Sequence, residues 1–337
     1  MPLPAPEPIR ELQAAPGQVP GTVLAGREPV VLRGVAAHWP LVQAARQSSR
    51  AGMDYLRGFA RDAPVTAMVA PPGQGGRFFY NEDLSGFNFR QDRVPLPAVL
   101  DTLARYLDDP APPAIYLGST TVDTFLPGLR AHNDLPLDVA DPIFSAWVGN
   151  RSRIAAHYDV PDNIACVAAG RRRFTLFPPE QLPNLYVGPL DLTPAGQAIS
   201  LVDLHAPDLE RFPRFADAMA QARVAELAPG DALFIPGLWW HSVEALEPFN
   251  VLLNYWWRGQ PAYMDTPMNA LVLAIMSIRD LPPAQRQAWQ ETFRHYVFEP
   301  GADVADHIPE CARGMLAPMT DDAVRHLRAQ LLKRLNR

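Results

Sequence analysis

The sequence predicts a mainly β protein with helices: an N-terminal α/β lead-in, a central β-sandwich or barrel, and a helical C-terminal segment. Three observations carry this prediction. From 143 to 258, short β-rich runs (143–148, 153–159, 164–168, 173–177, 232–235, 249–257) alternate with Pro and Gly turns. After Gly259 the apolar residues recur at helical spacing. Proline is high, 37 residues out of 337 against 21 glycines, which favours turns and short strands. With 48% hydrophobic and 20% charged residues, the chain can bury a sizeable core.

Residues 1–26, cut by prolines, read as an N-terminal arm. The lead-in spans 27–142 and packs on the barrel. It opens with a short buried strand, Glu28-Pro-Val-Val-Leu-Arg-Gly34, followed by His38-Trp39-Pro40. Another strand, a Gly-rich turn at 72–76 and an aromatic cluster from Phe78 to Phe89 follow, Tyr80 and Asn81 reading first as a packed ledge and alternatively as lining the mouth of a site. Leu100, Leu103 and Leu107 mark a helix stopped by Pro110, and Ala114-Ile-Tyr116-Leu a strand. The β core occupies 143–260, interrupted by a polar, Pro-rich excursion over 180–228. The C-terminal helices fill 261–337, with stripes at Leu271, Ala274, Ile275 and Ile278 and at Val324, Leu327, Leu331 and Leu335. Thr320 is a plausible N-cap for the last of these.

The composition narrows the function. A net charge of −6 argues against a dedicated nucleic-acid binder. The longest apolar stretch, Ala270–Ile278, is far short of the ~20 residues a spanning helix needs, so no membrane partner is expected. The first residues lack the apolar region of a secretory signal, and two cysteines, Cys166 and Cys311, are too few for a disulfide framework. A cytoplasmic protein is the expectation. Of 30 basic residues only Lys333 is lysine, so chemistry that needs a lysine is nearly excluded.

The chemistry sits in His157-Tyr158-Asp159. Strand alternation puts His157 and Asp159 on one face and Tyr158 on the other. A neutral imidazole and a carboxylate so spaced can bind one ion. His241, delivered by a Pro–Gly corner after Pro229-Gly-Asp-Ala-Leu-Phe-Ile-Pro236-Gly-Leu-Trp-Trp240, is the best third ligand. Two His and one carboxylate with open positions is the facial triad of non-haem Fe(II) oxygenases. His38, His132, His205, His295, His307 and His326 lack a comparable partner in a strand and read as surface or capping residues. No Gly-x-Ser-x-Gly elbow suggests a serine hydrolase.

The surrounding text is more specific than the triplet. The run from His157 through Asn163, Gly170-Arg-Arg-Arg-Phe-Thr-Leu-Phe and Pro178-Pro179, then Glu210-Arg-Phe-Pro213, Pro229-Gly-Asp231 through His241, and Asn254-Tyr-Trp256, resembles the JmjC/cupin-8 family of Fe(II)/2-oxoglutarate-dependent oxygenases. The likeness is closest to the subgroup of the asparaginyl hydroxylase called factor inhibiting HIF and its bacterial relatives. It is strong over about 143–260.

The resemblance implies a double-stranded β-helix, a jelly-roll cupin barrel with the metal in its mouth. It implies His157, Asp159 and His241 as ligands of catalytic Fe(II), and 2-oxoglutarate as co-substrate. In register, Arg172 takes the place of the subgroup's lysine at the far carboxylate of that co-substrate. Tyr116 matches a tyrosine that helps it, and Ile154 replaces a threonine. Asn163 and Asn254 match polar residues near the metal-bound end, and Trp256 an aromatic beside the metal. Arginine can pair with a carboxylate in bidentate fashion, although its fork is bulkier than an ammonium. The bland reading of Arg171-Arg172-Arg173 is a solvated strand edge.

The function so implied is hydroxylation of a protein side chain or small molecule, with succinate and CO2 as co-products. The C-terminal stripes are expected to form a homodimer interface, the alternative being a monomer that folds these helices onto its own barrel. The rival readings are a metal cupin that does not use 2-oxoglutarate and a non-catalytic binding or scaffold barrel.

Overall fold

A computed structural model describes residues 3–194 and 196–336. The chain divides into two compact units, Met1–Arg258 and Gly259–Arg337. The lead-in contributes β1 (Glu7–Pro8), β2 (Arg10–Gln13), β3 (Val30–Arg33), β4 (Pro64–Ala70), β5 (Arg77–Phe78), β6 (Arg90–Pro95) and β7 (Ala114–Thr121). Then come β8 (Ile143–Gly149), β9 (Ser152–Tyr158), β10 (Asp162–Ala169), β11 (Arg172–Phe177), β12 (Arg223–Leu227), β13 (Ala232–Ile235), β14 (Trp240–Ala245) and β15 (Asn250–Trp257).

These strands build two facing sheets. One has six strands in the order β1-β12-β11-β14-β9-β5, the other nine in the order β2-β3-β13-β10-β15-β8-β7-β4-β6. The eight strands from β8 to β15 are divided equally between them, four in each. Successive strands cross from sheet to sheet except at β11–β12, which is the winding of a double-stranded β-helix. Apolar side chains on the two inner faces, among them Val167, Phe174, Leu176, Leu227, Leu233, Ile235 and Leu252, close one end of the barrel. The other end holds the polar cluster described below.

The outer face of the large sheet packs against helices of the lead-in. Leu41 and Val42 from helix Pro40–Gln47, Met53 and Leu56 from Ser49–Arg57, and Leu100 and Leu103 from Leu96–Arg105 share a core with Phe144, Val148, Ile164 and Leu253. The lead-in is thus continuous with the barrel sheet, which β7, β4 and β6 prolong beyond β8.

Two expectations change. The proline-cut arm of residues 1–26 is stitched into both sheets, with β1 parallel to β12 and β2 parallel to β3. Prolines do not prevent this at an edge, where one side of a strand needs no donors. The excursion over 180–228 ends in a barrel strand, β12, whose outward Glu226 and terminal Arg223 obscure its apolar Ala225 and Leu227. The rest packs Leu185, Val202, Phe212 and Phe215 against Phe177 and Trp240 on the outside of the small sheet.

The second unit contains helices Pro267–Ser277, Pro283–Phe293 and Asp321–Leu335, none with a buried residue. The Thr320 hydroxyl caps the last of them by accepting from the Ala323 amide. Among the described residues no helix is long and apolar enough to cross a membrane.

Candidate functional site

His157, near the end of β9, stands directly opposite His241 at the start of β14. The residue pair is fixed by two loops. Leu238, held at φ +68°, donates its amide to the Asp159 carbonyl at 2.8 Å, and Gly237 donates to the Asp162 side chain at 2.8 Å. A Cβ on Gly237 would sit 2.5 Å from the Val160 carbonyl oxygen, so only glycine lets the two loops meet. Beyond the pair a bulge separates His241↔His157 from Val243↔Ile154, three residues of β9 facing two of β14. It turns Ile154 into the barrel beside His157, although they stand three apart. Tyr158 points the other way, edge-on to Trp240 at 5.0 Å.

The structure brings one donor atom from each of His157, Asp159 and His241 within 4.8 Å of the others. His241 Nε2 lies 3.6 Å from Asp159 Oδ2, and the two imidazoles are 4.3 Å apart between centroids. Each imidazole is oriented by its own strand. His157 Nδ1–H donates to the Ala155 carbonyl at 2.9 Å, and His241 Nδ1–H to the Trp239 carbonyl at 3.0 Å. A carbonyl only accepts, so both Nε2 atoms keep their lone pairs for the shared space. Burial pushes the His241 imidazole down to about 4, with His157 adding to the shift and Asp159 opposing it. The imidazole is therefore neutral near pH 7, the state a metal needs. Two imidazole nitrogens and one side-chain oxygen of Asp159, converging with room for more ligands, fit Fe(II).

Behind this cluster lies a small inner chamber lined by Tyr116, Asn163, Arg172, His241, Asn254 and Trp256 among others. Arg172 is 2% exposed. One of its amino groups donates to the Trp147 carbonyl at 3.3 Å, and its Nε finds no hydrogen-bond partner among the described residues. Burial lowers its guanidinium to about 10, with Tyr116 partly offsetting. It is still cationic at neutral pH. Arg171 and Arg173 point outward into solvent and pair with Glu226, although β11 lies inside its sheet rather than at an edge; Arg172 alone of the three is buried. Burial likewise raises the Tyr116 phenol well above its ordinary range. A buried cation with a free donor is costly unless an anion meets it, so the chamber fits a carboxylate.

Asn254 accepts from the Trp147 indole at 2.7 Å and donates to Asn163 at 3.4 Å. Trp256 stands edge-on to Trp147 at 5.7 Å, and its buried Nε1 also has no partner among the described residues. Sequence reasoning missed Trp147, which touches Arg172, Asn254, Tyr116 and Trp256. Its place in an apolar run, two residues from Ser145 and Gly149, looks like ordinary core. Tyr80 and Asn81 stay outside this cavity: Tyr80 is buried, with its hydroxyl donating to the Leu192 carbonyl, and the pair borders a separate groove.

Toward solvent the site opens into a cavity of about 360 Å³. His157, Asp159, Tyr116, Trp147, Ile154 and Trp256 line both spaces. Phe78, Met68, Ile143 and Ile199 furnish the outer walls, with Arg258 among the residues of the mouth.

Sequence comparison gives the same architecture a family. Residues 16–263 match a family described as a cupin-like domain. The chain is 27% identical over 276 residues to the lysine-specific demethylase JMJ31 of Arabidopsis thaliana, covering 71% of this chain and 48% of that protein. It is 26% identical over 259 residues to the human bifunctional peptidase and (3S)-lysyl hydroxylase JMJD7, covering 68% and 77% respectively. Over 106 residues it is 38% identical to tRNA wybutosine-synthesizing protein 5 of Danio rerio, covering 32% of this chain and 29% of that one. The chain thus spans about half the length of the plant relative and under a third of the fish relative. The matched span takes in strands β3 to β15 and every residue of the cluster, and this chain belongs to the cupin-like domain family.

Proposed function

We propose that this chain is an Fe(II)- and 2-oxoglutarate-dependent oxygenase, a hydroxylase of a protein side chain or a small molecule. The observation that carries this reading is Arg172, a buried cation with an unsatisfied Nε in a chamber that opens on a His–Asp–His cluster. JmjC-type relatives use Fe(II) and 2-oxoglutarate, and the donor set is the one that chemistry needs. A metal cupin without a 2-oxo acid, or a scaffold barrel, leaves the arginine without a purpose.

His157, Asp159 and His241 would hold the metal. Bound there, Fe(II) with 2-oxoglutarate and O2 supplies the oxidising power for hydroxylation, with succinate and CO2 as co-products. The chain's own work is placement. Arg172 binds the far carboxylate, with the Tyr116 hydroxyl as a second donor. Ile154, standing where the family resemblance implies a threonine, adds apolar surface instead. Trp147 orients Asn254 through its indole, and Asn254 with Asn163 presents amides near the metal-binding end. The aromatic walls exclude water, which strengthens each of these polar contacts.

Anaerobic addition of Fe(II) and then 2-oxoglutarate should develop a weak visible charge-transfer band, and aerobic incubation should release succinate. Asp159→Ala should do neither. Failure of the unaltered chain to bind 2-oxoglutarate would overturn the reading.

The C-terminal unit supports a homodimer. Helix Pro267–Ser277 exposes Leu271, Val272 and Met276, and Asp321–Leu335 exposes Leu331, Leu332 and Leu335. Surface of this kind calls for a partner, and a second copy of the chain is the simplest. Light scattering should give a dimer mass that Leu331→Asp lowers to that of one chain. The two free cysteines, one buried and one exposed, favour a reducing compartment, the cytoplasm.

A further inference from the structure

We propose that the mouth of this cavity accepts an apolar group, aliphatic or aromatic, carried beside an anionic one, and disfavours a lysine-like cation. The proposal rests on the oxygenase reading and names the substrate class for that same site.

The argument starts from one strand. Asn254, Trp256 and Arg258 follow at two-residue spacing on β15 and just past its end, so they share a face and step outward by roughly 7 Å each. Asn254 is buried and lines only the inner chamber. Trp256 lines both spaces, and Arg258 is exposed and lines only the outer cavity. The wall therefore runs from a polar floor, past the metal cluster, to a cationic rim.

Between floor and rim the lining is apolar: Met68, Phe78, Ile143, Ile154, Ile199 and Pro161. Ile143 is 56% exposed at the opening, an apolar surface left bare on a strand otherwise well covered. The polar residues among these walls are Ser119, Gln197, Tyr116 and His157, and the carboxylate among the described residues is Asp159; His157 and Asp159 are already committed to the cluster. A volume of about 360 Å³ suits one such side chain or small ring compound.

Charge then selects. A substrate ammonium would enter past Arg258 toward a divalent metal and find, among the described residues of the lining, no carboxylate free to pair with it, which is discrimination by repulsion and lost hydration. An anion beside the apolar group would instead meet Arg258. Two relatives carry lysine in their names; this mouth is built for a different residue chemistry. The aromatic walls could still attract an ammonium through their ring faces, so an amine is the decisive competitor.

The test uses the full chain, loaded with Zn(II) and 2-oxoglutarate and also without either. Its probes are 3-phenylpropanoate and 3-phenylpropylamine, alike in their apolar body and opposite in charge. Calorimetry should show the acid binding roughly three- to five-fold tighter, the range of a partly exposed ion pair. The preference should vanish in Arg258→Ala and invert in Arg258→Glu. The peptides acetyl-Glu-Phe-amide and acetyl-Lys-Phe-amide should rank the same way. Tighter binding of the acidic peptide than of the free acid supports a protein source, and the reverse a small molecule. Equal or tighter binding of the amine, or a preference that survives Arg258→Glu, would overturn the proposal. A chain that prefers the acid without binding 2-oxoglutarate keeps this mouth and loses the oxygenase reading; one that binds 2-oxoglutarate and prefers the amine does the opposite.

Discussion

The inner and outer faces of the small sheet use the same residue type in opposite ways. On the outer face, Arg171 and Arg173 are 53% and 43% exposed and pair with Glu226, with further ion pairs to Glu247 and Glu244. On the inner face of the same strand, Arg172 is 2% exposed and keeps an unsatisfied Nε. The outer pairs satisfy their charges and do little, since water screens them. The inner cation is poorly satisfied by the fold alone, which is how a binding site differs from a structural contact.

The largest expected effect tests the inner face at its ligands. Asp159→Ala leaves two imidazoles and no carboxylate, and calorimetry should find tight Fe(II) binding abolished while the fold survives. Next comes Arg172→Met. It should weaken 2-oxoglutarate by about 100-fold, in line with the ~2–5 kcal/mol lost when one partner of a buried charge pair is removed. The same change should raise the stability of the ligand-free chain by about 1–4 kcal/mol in urea titrations, because a buried unpaired charge has gone. A fall in stability would break the contrast.

That gain has a pH signature. Burial holds the folded Arg172 guanidinium down at about 10, below the ordinary arginine range, so above that value the unfolded chain holds the extra proton. The burial penalty is complete below about pH 10 and is relieved as pH rises above it. The stability gap between Arg172→Met and the unaltered chain should therefore narrow from pH 9 to pH 11. A constant gap would point to lost packing rather than charge.

Gly170→Ala sharpens the comparison from the turn that aims the three arginines. Gly170 has φ +70°, and an added Cβ would lie 2.5 Å from the Phe249 carbonyl oxygen. A loss of about 1–3 kcal/mol is expected, with weaker 2-oxoglutarate binding as Arg172 shifts. The smallest effect belongs to Arg173→Ala, within about 1 kcal/mol and with 2-oxoglutarate binding unchanged.

Much of this was legible in the chain. The rhythm of runs from 143 to 258 marks most of the barrel strands, because alternation and turn residues are local signals. The His157–Asp159 pair shares a face by the same rule, and order along the chain selects His241. Strand β14 was harder to read. Its inward residue is a polar ligand candidate, His241, and its outward Ser242 and Glu244 are buried beneath the excursion, so neither face shows a simple pattern. Trp147 was missed because an apolar run does not reveal that one indole bonds Asn254.

The sequence by itself determined the elements, the candidate ligands and the family resemblance, since each depends on residue type and short spacing. Only the tertiary structure decided that Arg172 is buried while its neighbours are not, that a bulge turns Ile154 inward, and that Arg258 stands at the mouth of the same cavity. Those facts depend on which surfaces two sheets bring face to face. Burial and pairing across 100 residues are properties of the assembled barrel, and no local pattern encodes them.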